Sequence, residues 1–190
     1  MGMGERENFL EKVFLPRTPS FQKPKNELEK IAMSAKTPME RAEIARNYFL
    51  SGYGCAQAVL MTFSDVTDFD ADVAARMASS FGGGMGRMRE VCGAVSGALM
   101  VLGVAEGYAD PADTAAKSAH YARVREFADR FKARSGAGSI VCREILAGRG
   151  VPNEAGGEAE ARTDAYYQKR PCGELCAIAA SVLQEMLDEH

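Results

Sequence analysis

One stretch limits what this chain can fold into more than any other. Residues Phe81 to Leu102 run from a cluster of glycines straight into an apolar segment of helix length. Gly82, Gly83, Gly84 and Gly86 open backbone angles closed to other residues. Arg87 and Arg89 follow, then Cys92, then an apolar run built on small side chains. Gly93 and Gly97 stand four apart and therefore share one helical face, beside Cys92 and Ser96. Glycine weakens a helix by about 1 kcal/mol relative to alanine. A helix that carries two of them on one face is expected to let a neighbouring backbone approach Cys92 closely.

The rest of the chain reads as helices joined by short breaks. Asn26 to about Ala35 suits a short helix. Thr37-Pro38-Met39-Glu40 combines a capping box with proline at the first helical position. Met39, Ala42, Ile44, Ala45, Tyr48 and Phe49 then recur at helical spacing, up to Gly52 or Gly54. Cys55 opens a helix to about Phe63, and Ser64 to Asp68 reads as a loop. A helix from Phe69 to Phe81 is capped by Asp70 or its neighbour. The next spans about Glu90 to Gly107. Asp110-Pro111 announces a long charged helix to about Arg134, with Tyr121, Val124, Phe127, Ala128 and Phe131 on its apolar face. Ser139 caps a short helix from Ile140 to Leu146. Gly148 to Arg170 reads as a loop with one irregular turn, and Pro171 starts a last helix to about Leu187. No alternating strand pattern occurs. The expected fold is all-α, a compact helical bundle of about six or seven helices.

The chain has 190 residues, 46% of them apolar, and this suits one globular domain able to bury a core. Residues 1–25 carry charge and three prolines without a period, and are expected to form a flexible N-terminal arm before a four-cysteine helical domain over 26–190. A net charge of −3 argues against nucleic-acid binding. No apolar run is long enough to span a bilayer, and Met1 to Glu11 lacks the apolar core of a signal peptide. The expected compartment is the cytoplasm, where thiols are normally reduced.

Five cysteines in such a chain point to metal binding or catalysis before structural disulfides. Cys55, Cys92, Cys142 and Cys172 each fall in the first turn of an expected helix. First-turn N–H groups lack intrahelical partners and together carry about half a positive charge, which favours a thiolate or an anionic cluster. Cations flank these positions: Arg89 before Cys92, Arg143 after Cys142, Lys169 and Arg170 before Cys172. The thiols of Cys92 and Cys172 are therefore expected to ionise below the ordinary value of about 8.5. Backbone amides of the glycine turn can hydrogen-bond a cluster or an anion, so Gly83, Gly84, Gly86 and Gly93 are the candidates to face a cofactor. Cys176, four residues after Cys172, fits a resolving thiol, a supporting thiol or a packing residue.

Cys92-Gly93-Ala94-Val95-Ser96-Gly97, preceded by Gly54-Cys55-Ala56-Gln57-Ala58 and followed by Cys142 and Cys172, resembles the redox-active family named for its C_GCAxxG_C_C cysteine pattern. The resemblance covers about residues 38 to 186. It implies a redox role carried by Cys55, Cys92, Cys142 and Cys172. A similar cysteine-bearing domain occurs in split-Soret cytochromes, where an iron–sulfur centre has been proposed, and the resemblance extends that expectation to this chain.

Three chemistries fit four such sulfurs: an iron–sulfur cluster, a zinc site, or dithiol–disulfide couples. Wide spacing weakens the zinc reading, and no Cys-x-x-Cys motif is present. The expected function is electron transfer or thiol–disulfide chemistry, with a redox partner protein or a small-molecule thiol or electron donor. A structural module whose cysteines bind a stabilising metal such as zinc is the alternative. A thiol enzyme with Cys92 as nucleophile ranks last, because no histidine is placed as its base. A homo-oligomer is compatible with the sequence.

Overall fold

The computed structural model describes residues 27–35 and 37–189. The arm expected over 1–25 lies outside the described residues. Among the described residues ten helices follow one another: α1 (Glu27–Ser34), α2 (Pro38–Leu50), α3 (Cys55–Thr62), α4 (Ser64–Thr67), α5 (Ala71–Ser79), α6 (Gly93–Glu106), α7 (Thr114–Ser135), α8 (Cys142–Ala147), α9 (Asp164–Lys169) and α10 (Cys172–Asp188). Among the described residues the only β pairing is one antiparallel bridge, Val91 to Val141. The fold is all-α, as the sequence patterns require.

Local chemistry explains the boundaries. At the start of α2, Glu40 N–H donates to Thr37 Oγ1 at 3.2 Å, and Thr37 N–H donates to Glu40 Oε2 at 3.0 Å. Two amides without helical partners are thus satisfied at once. Asp70 caps α5 by accepting from Asp72 N–H at 2.9 Å. Five expectations shift, the first at Ser139, which accepts from Val141 N–H at 3.0 Å ahead of α8 and does not cap that helix. The loop expected over Ser64 to Asp68 contains α4, because Phe63 is fully buried and the Phe63 carbonyl accepts from Thr67. The long helix is capped by Asp113, which accepts from Ala116 N–H at 2.8 Å; Asp110 instead closes the preceding turn onto Ala112 N–H. The segment 148–170 holds α9, capped by Thr163. Helix α6 starts at Gly93 and not at Glu90, since residues 90–92 are extended and paired with 140–142.

Helix α10 is the centre of the bundle and packs on α2, α3, α6 and α7. Its Ala177, Ala179, Ala180, Val182, Leu183 and Met186 are buried. From α7, Phe127 and Phe131 are wholly buried, each gaining about 1.5–3 kcal/mol from burial. Tyr121, expected on that apolar face, is half exposed and pairs with Tyr108 instead. Helices α3 and α6 cross at the glycine face. A Cβ on Gly97 would lie 2.5 Å from Ala56 O and 3.1 Å from Val59 Cβ. The close approach expected of Gly93 and Gly97 is present, and the partner is the start of α3.

One buried charge holds the far side of the core. Arg41 is 1% exposed. Its guanidinium donates to both carboxylate oxygens of Asp65 at 2.8 Å, to Thr62 O at 2.6 Å, to Ala32 O at 3.1 Å and to Gln184 Oε1 at 2.8 Å. It also stacks over Phe63, 4.5 Å from the ring centre. Every nitrogen is satisfied, the condition for burying a charge without a large penalty.

Candidate functional site

The glycine turn sets the site. Gly83, Gly84, Met85, Gly86, Arg87 and Arg89 all have left-handed φ, between 60° and 73°. Met85, Arg87 and Arg89 are not glycines, so the segment is strained at three positions. Gly84 is required for space as well as angle: a Cβ there would sit 2.8 Å from Cys142 Cβ and 2.9 Å from Glu90 N. The turn delivers residues 90–92 to the segment before α8. Cys92 N–H donates to Ile140 O at 2.8 Å, Cys142 N–H to Glu90 O at 2.6 Å, and Arg143 N–H to Arg89 O at 3.0 Å.

That pairing brings Cys92 and Cys142 to one cavity of about 40 Å³, and Cys55 and Cys172 line the same cavity. Three of the four are the first residues of helices, Cys55 of α3, Cys142 of α8 and Cys172 of α10. Cys92 is the residue before α6, not part of its first turn. Of the four candidate glycines, Gly83, Gly84 and Gly93 line this cavity, while Gly86 lines the open cleft next to it. A Cβ on Gly93 would meet Cys55 Cβ at 3.0 Å.

All five cysteines are free thiols; Cys55 and Cys172 are partly exposed and the other three are buried. Three of them form a connected chain. Cys55 interacts with the thiols of both Cys172 and Cys176, and Cys176 Sγ donates to Cys55 O at 3.7 Å. Cys176 is thus a direct neighbour of the site. Its spacing four residues after Cys172 on one helical face was the only sequence signal for this.

The thiol ionisation runs opposite to the expectation. Burial, then repulsion from Cys172 and Cys142, pushes the Cys92 thiol up to about 12. The amides of Ala94 and Val95 do pull it down, which is the helix-start effect, but they do not prevail. The interaction with Cys55 and then burial push Cys172 well up, against Arg170 and Arg162. For Cys55, the interaction with Cys172 lowers the value, and that with Cys176 together with burial outweighs it. Cys142 and Cys176 are raised by burial first. Sequence shows the helix ends and the arginines; it does not show how completely the folded chain removes water.

Arginines complete the lining: Arg89, Arg162 and Arg170, with Tyr166 between them. The positive charge of Arg89 lowers the Cys142 thiol pKa against burial. Arg162 stacks over Phe49 and Tyr166, 4.8 and 4.7 Å from their ring centres. Arg170 stacks over Tyr166 at 4.9 Å. Arg143, also expected to act on a sulfur, instead pairs with Glu90 on the surface at 2.6 Å. Arg162 and Tyr166 come from the segment read as loop and were missed; no local pattern marks them.

The cysteine order, the glycine turn and the shared cavity coincide with a known pattern. The sequence model described as "Putative redox-active protein (C_GCAxxG_C_C)" matches residues 53–186, more than half of the chain. The chain belongs to this family. No curated protein and no solved structure matches it.

A member of a redox-active family can carry a cofactor, so the donor set matters. Four cysteines facing one cavity match the ligand chemistry of an iron–sulfur cluster. Among the described residues, however, no three His, Cys, Asp or Glu side chains are arranged to hold a single metal ion. Among the described residues, no helix is long and apolar enough to cross a membrane.

Proposed function

We propose that this chain is a dithiol–disulfide redox protein whose working couple is Cys55 and Cys172. One observation carries the reading: the two cysteines whose thiols interact at the cavity are also the two that are not fully buried. A disulfide-bearing small molecule or protein is the electron acceptor. The Cys172 sulfur loses its proton, attacks one sulfur of that disulfide, and the other leaves as a thiol. Arg170 and Arg162 favour the negative charge on Cys172 at this moment. The Cys55 sulfur then attacks the Cys172 sulfur, and the second acceptor sulfur departs with the Cys55 proton. Two electrons and two protons reach the acceptor, and one S–S bond replaces another. Raised thiol pKa values keep the reduced form protonated at neutral pH, so the reaction waits for an acceptor seated in the site.

The test is peptide mapping after exposure of reduced protein to an excess of a small aromatic disulfide. A Cys55–Cys172 linkage reversed by dithiothreitol is the expected result, and its absence in the wild type rejects the couple. The common cavity favours a second reading, in which Cys55, Cys92, Cys142 and Cys172 hold an iron–sulfur cluster that supplies one-electron transfer when bound. Absorption spectra with iron and sulfide analysis of protein purified without oxygen separate the two readings.

A further inference from the structure

Beside the cysteine cavity lie two open clefts of about 490 and 340 Å³, sharing a wall of Arg87, Arg89 and Arg170. Lys169 and Arg162 add to it, one in each cleft, against two carboxylates, Glu154 and Glu160. The guanidinia converge. A single oxygen, Glu160 Oε1, is 3.0 Å from Arg87 Nη1, 2.7 Å from Arg170 Nη2 and 3.9 Å from Arg89 Nη2. The side chains of Arg89 and Arg170 are only 5% and 7% exposed, while that of Glu160 is 41% exposed. Three cations held by the fold thus surround one carboxylate that solvent can reach.

We propose that this arginine pocket binds a small molecule bearing two or more phosphate or carboxylate groups, and that Glu160 fills the anion position until it arrives. Planar guanidinium forks suit these groups, and Arg87 adds a fork from a strained backbone. The clefts fall within the roughly 300–1,000 Å³ usual for small-molecule sites. Arg89 and Arg170 also line the cysteine cavity, so an anion held here places the rest of its molecule against Cys142 and Cys172. That such a molecule is the redox reactant rests on the reading above; the binding itself does not.

The experiment is calorimetric titration of the reduced full chain at low salt with pyrophosphate and, separately, citrate. Both are expected to bind. Glu160→Gln, which removes the competing carboxylate, is expected to tighten binding by about tenfold. Arg87→Gln, at the most exposed of the three arginines, is expected to weaken it by about tenfold or more. Arg130→Gln, on the α7 surface, is expected to change nothing. If only one probe binds, that probe defines the class as phosphate or carboxylate. Failure of both anions to bind wild type and Glu160→Gln overturns the proposal. So does a Glu160→Gln protein that binds no tighter, or equal weakening by Arg130→Gln, which means diffuse surface charge. Should Arg87→Gln fail to fold, the Glu160→Gln comparison decides alone. Cys172→Ser is expected to bind both probes as wild type does, so the anion site stands or falls apart from the thiol couple.

Discussion

The side chains of Arg41 and Arg170 are 2% and 7% exposed, and the chain uses them in opposite ways. Arg41 donates to both oxygens of one carboxylate, to two carbonyls and to an amide oxygen. Arg170 shares one carboxylate oxygen with Arg87 and Arg89 and faces a cavity lined by thiols. A saturated guanidinium is a joint of the fold. A guanidinium that divides one anion with two others leaves positive potential for something else. The contrast predicts that removing Arg41 damages the fold and removing Arg170 damages chemistry.

Arg41→Ala carries the largest expected effect. It removes the bidentate partner of Asp65 and a donor to the carbonyls of Ala32 and Thr62, and loss of one partner of a buried pair costs about 3–5 kcal/mol. Arg41→Lys should recover little, because an ammonium cannot supply the fork that Asp65 accepts. Urea unfolding followed by circular dichroism measures both. A loss below about 1 kcal/mol would remove Arg41 from the role of joint.

Next comes a comparison inside α6. Gly97→Ala should destabilise by about 1–3 kcal/mol, since the new methyl would press on Ala56 O at 2.5 Å. Gly103→Ala, on the same helix with nothing within 4 Å, should stabilise by up to about 1 kcal/mol. Opposite signs within one helix isolate the close approach from helix propensity. A gain in melting temperature for Gly97→Ala breaks the packing argument.

The thiols give the third effect, about 1 kcal/mol, and it depends on pH. Buried Cys92 keeps its proton up to about 12, whereas an unfolded thiol releases it near 9. Below pH 9 both states hold the proton and this group adds no pH dependence. Above it the unfolded chain ionises first, so the contribution of Cys92 is lost as pH rises between about 9 and 12. At pH 10 the reduced wild type should have lost about 1 kcal/mol more than Cys92→Ser, relative to pH 7.5. Equal losses would mean that burial does not control this thiol.

These effects differ in how far the sequence exposes them. Thr37, Asp70 and the Gly93–Gly97 face announce local structure through neighbours within a few residues, and the structure follows them. Asp110 and Asp113 were both able to cap, and in the fold Asp113 caps α7 while Asp110 closes the turn before it. Short α4 depends on burial of Phe63 and on Asp65 reaching Arg41, contacts between distant segments. The direction of the thiol pKa shifts fails to show for the same reason, because desolvation is a property of the assembled cavity. Glu160 sits in a stretch of glycine, alanine and glutamate that gives no hint of three arginines gathered on one oxygen.

The smallest effect on stability should belong to Arg170→Gln, and it tests the opening contrast most directly. Glu160 keeps Arg87 as a partner and is 41% exposed, so the loss of stability should stay within about 1 kcal/mol. The chemical effect should be visible all the same. Arg170 holds the Cys172 thiol pKa down against burial and the bond to Cys55. Its removal should therefore raise that pKa further, leave less thiolate at a given pH and slow alkylation of Cys172. Iodoacetamide labelling of reduced protein between pH 7.5 and 9.5, with each cysteine assigned by mass spectrometry, reads this directly. Slower labelling of Cys172 in a protein that melts close to wild type separates the two arginines by role. An Arg170→Gln protein that unfolds as readily as Arg41→Ala would erase the distinction and make the arginine wall part of the scaffold.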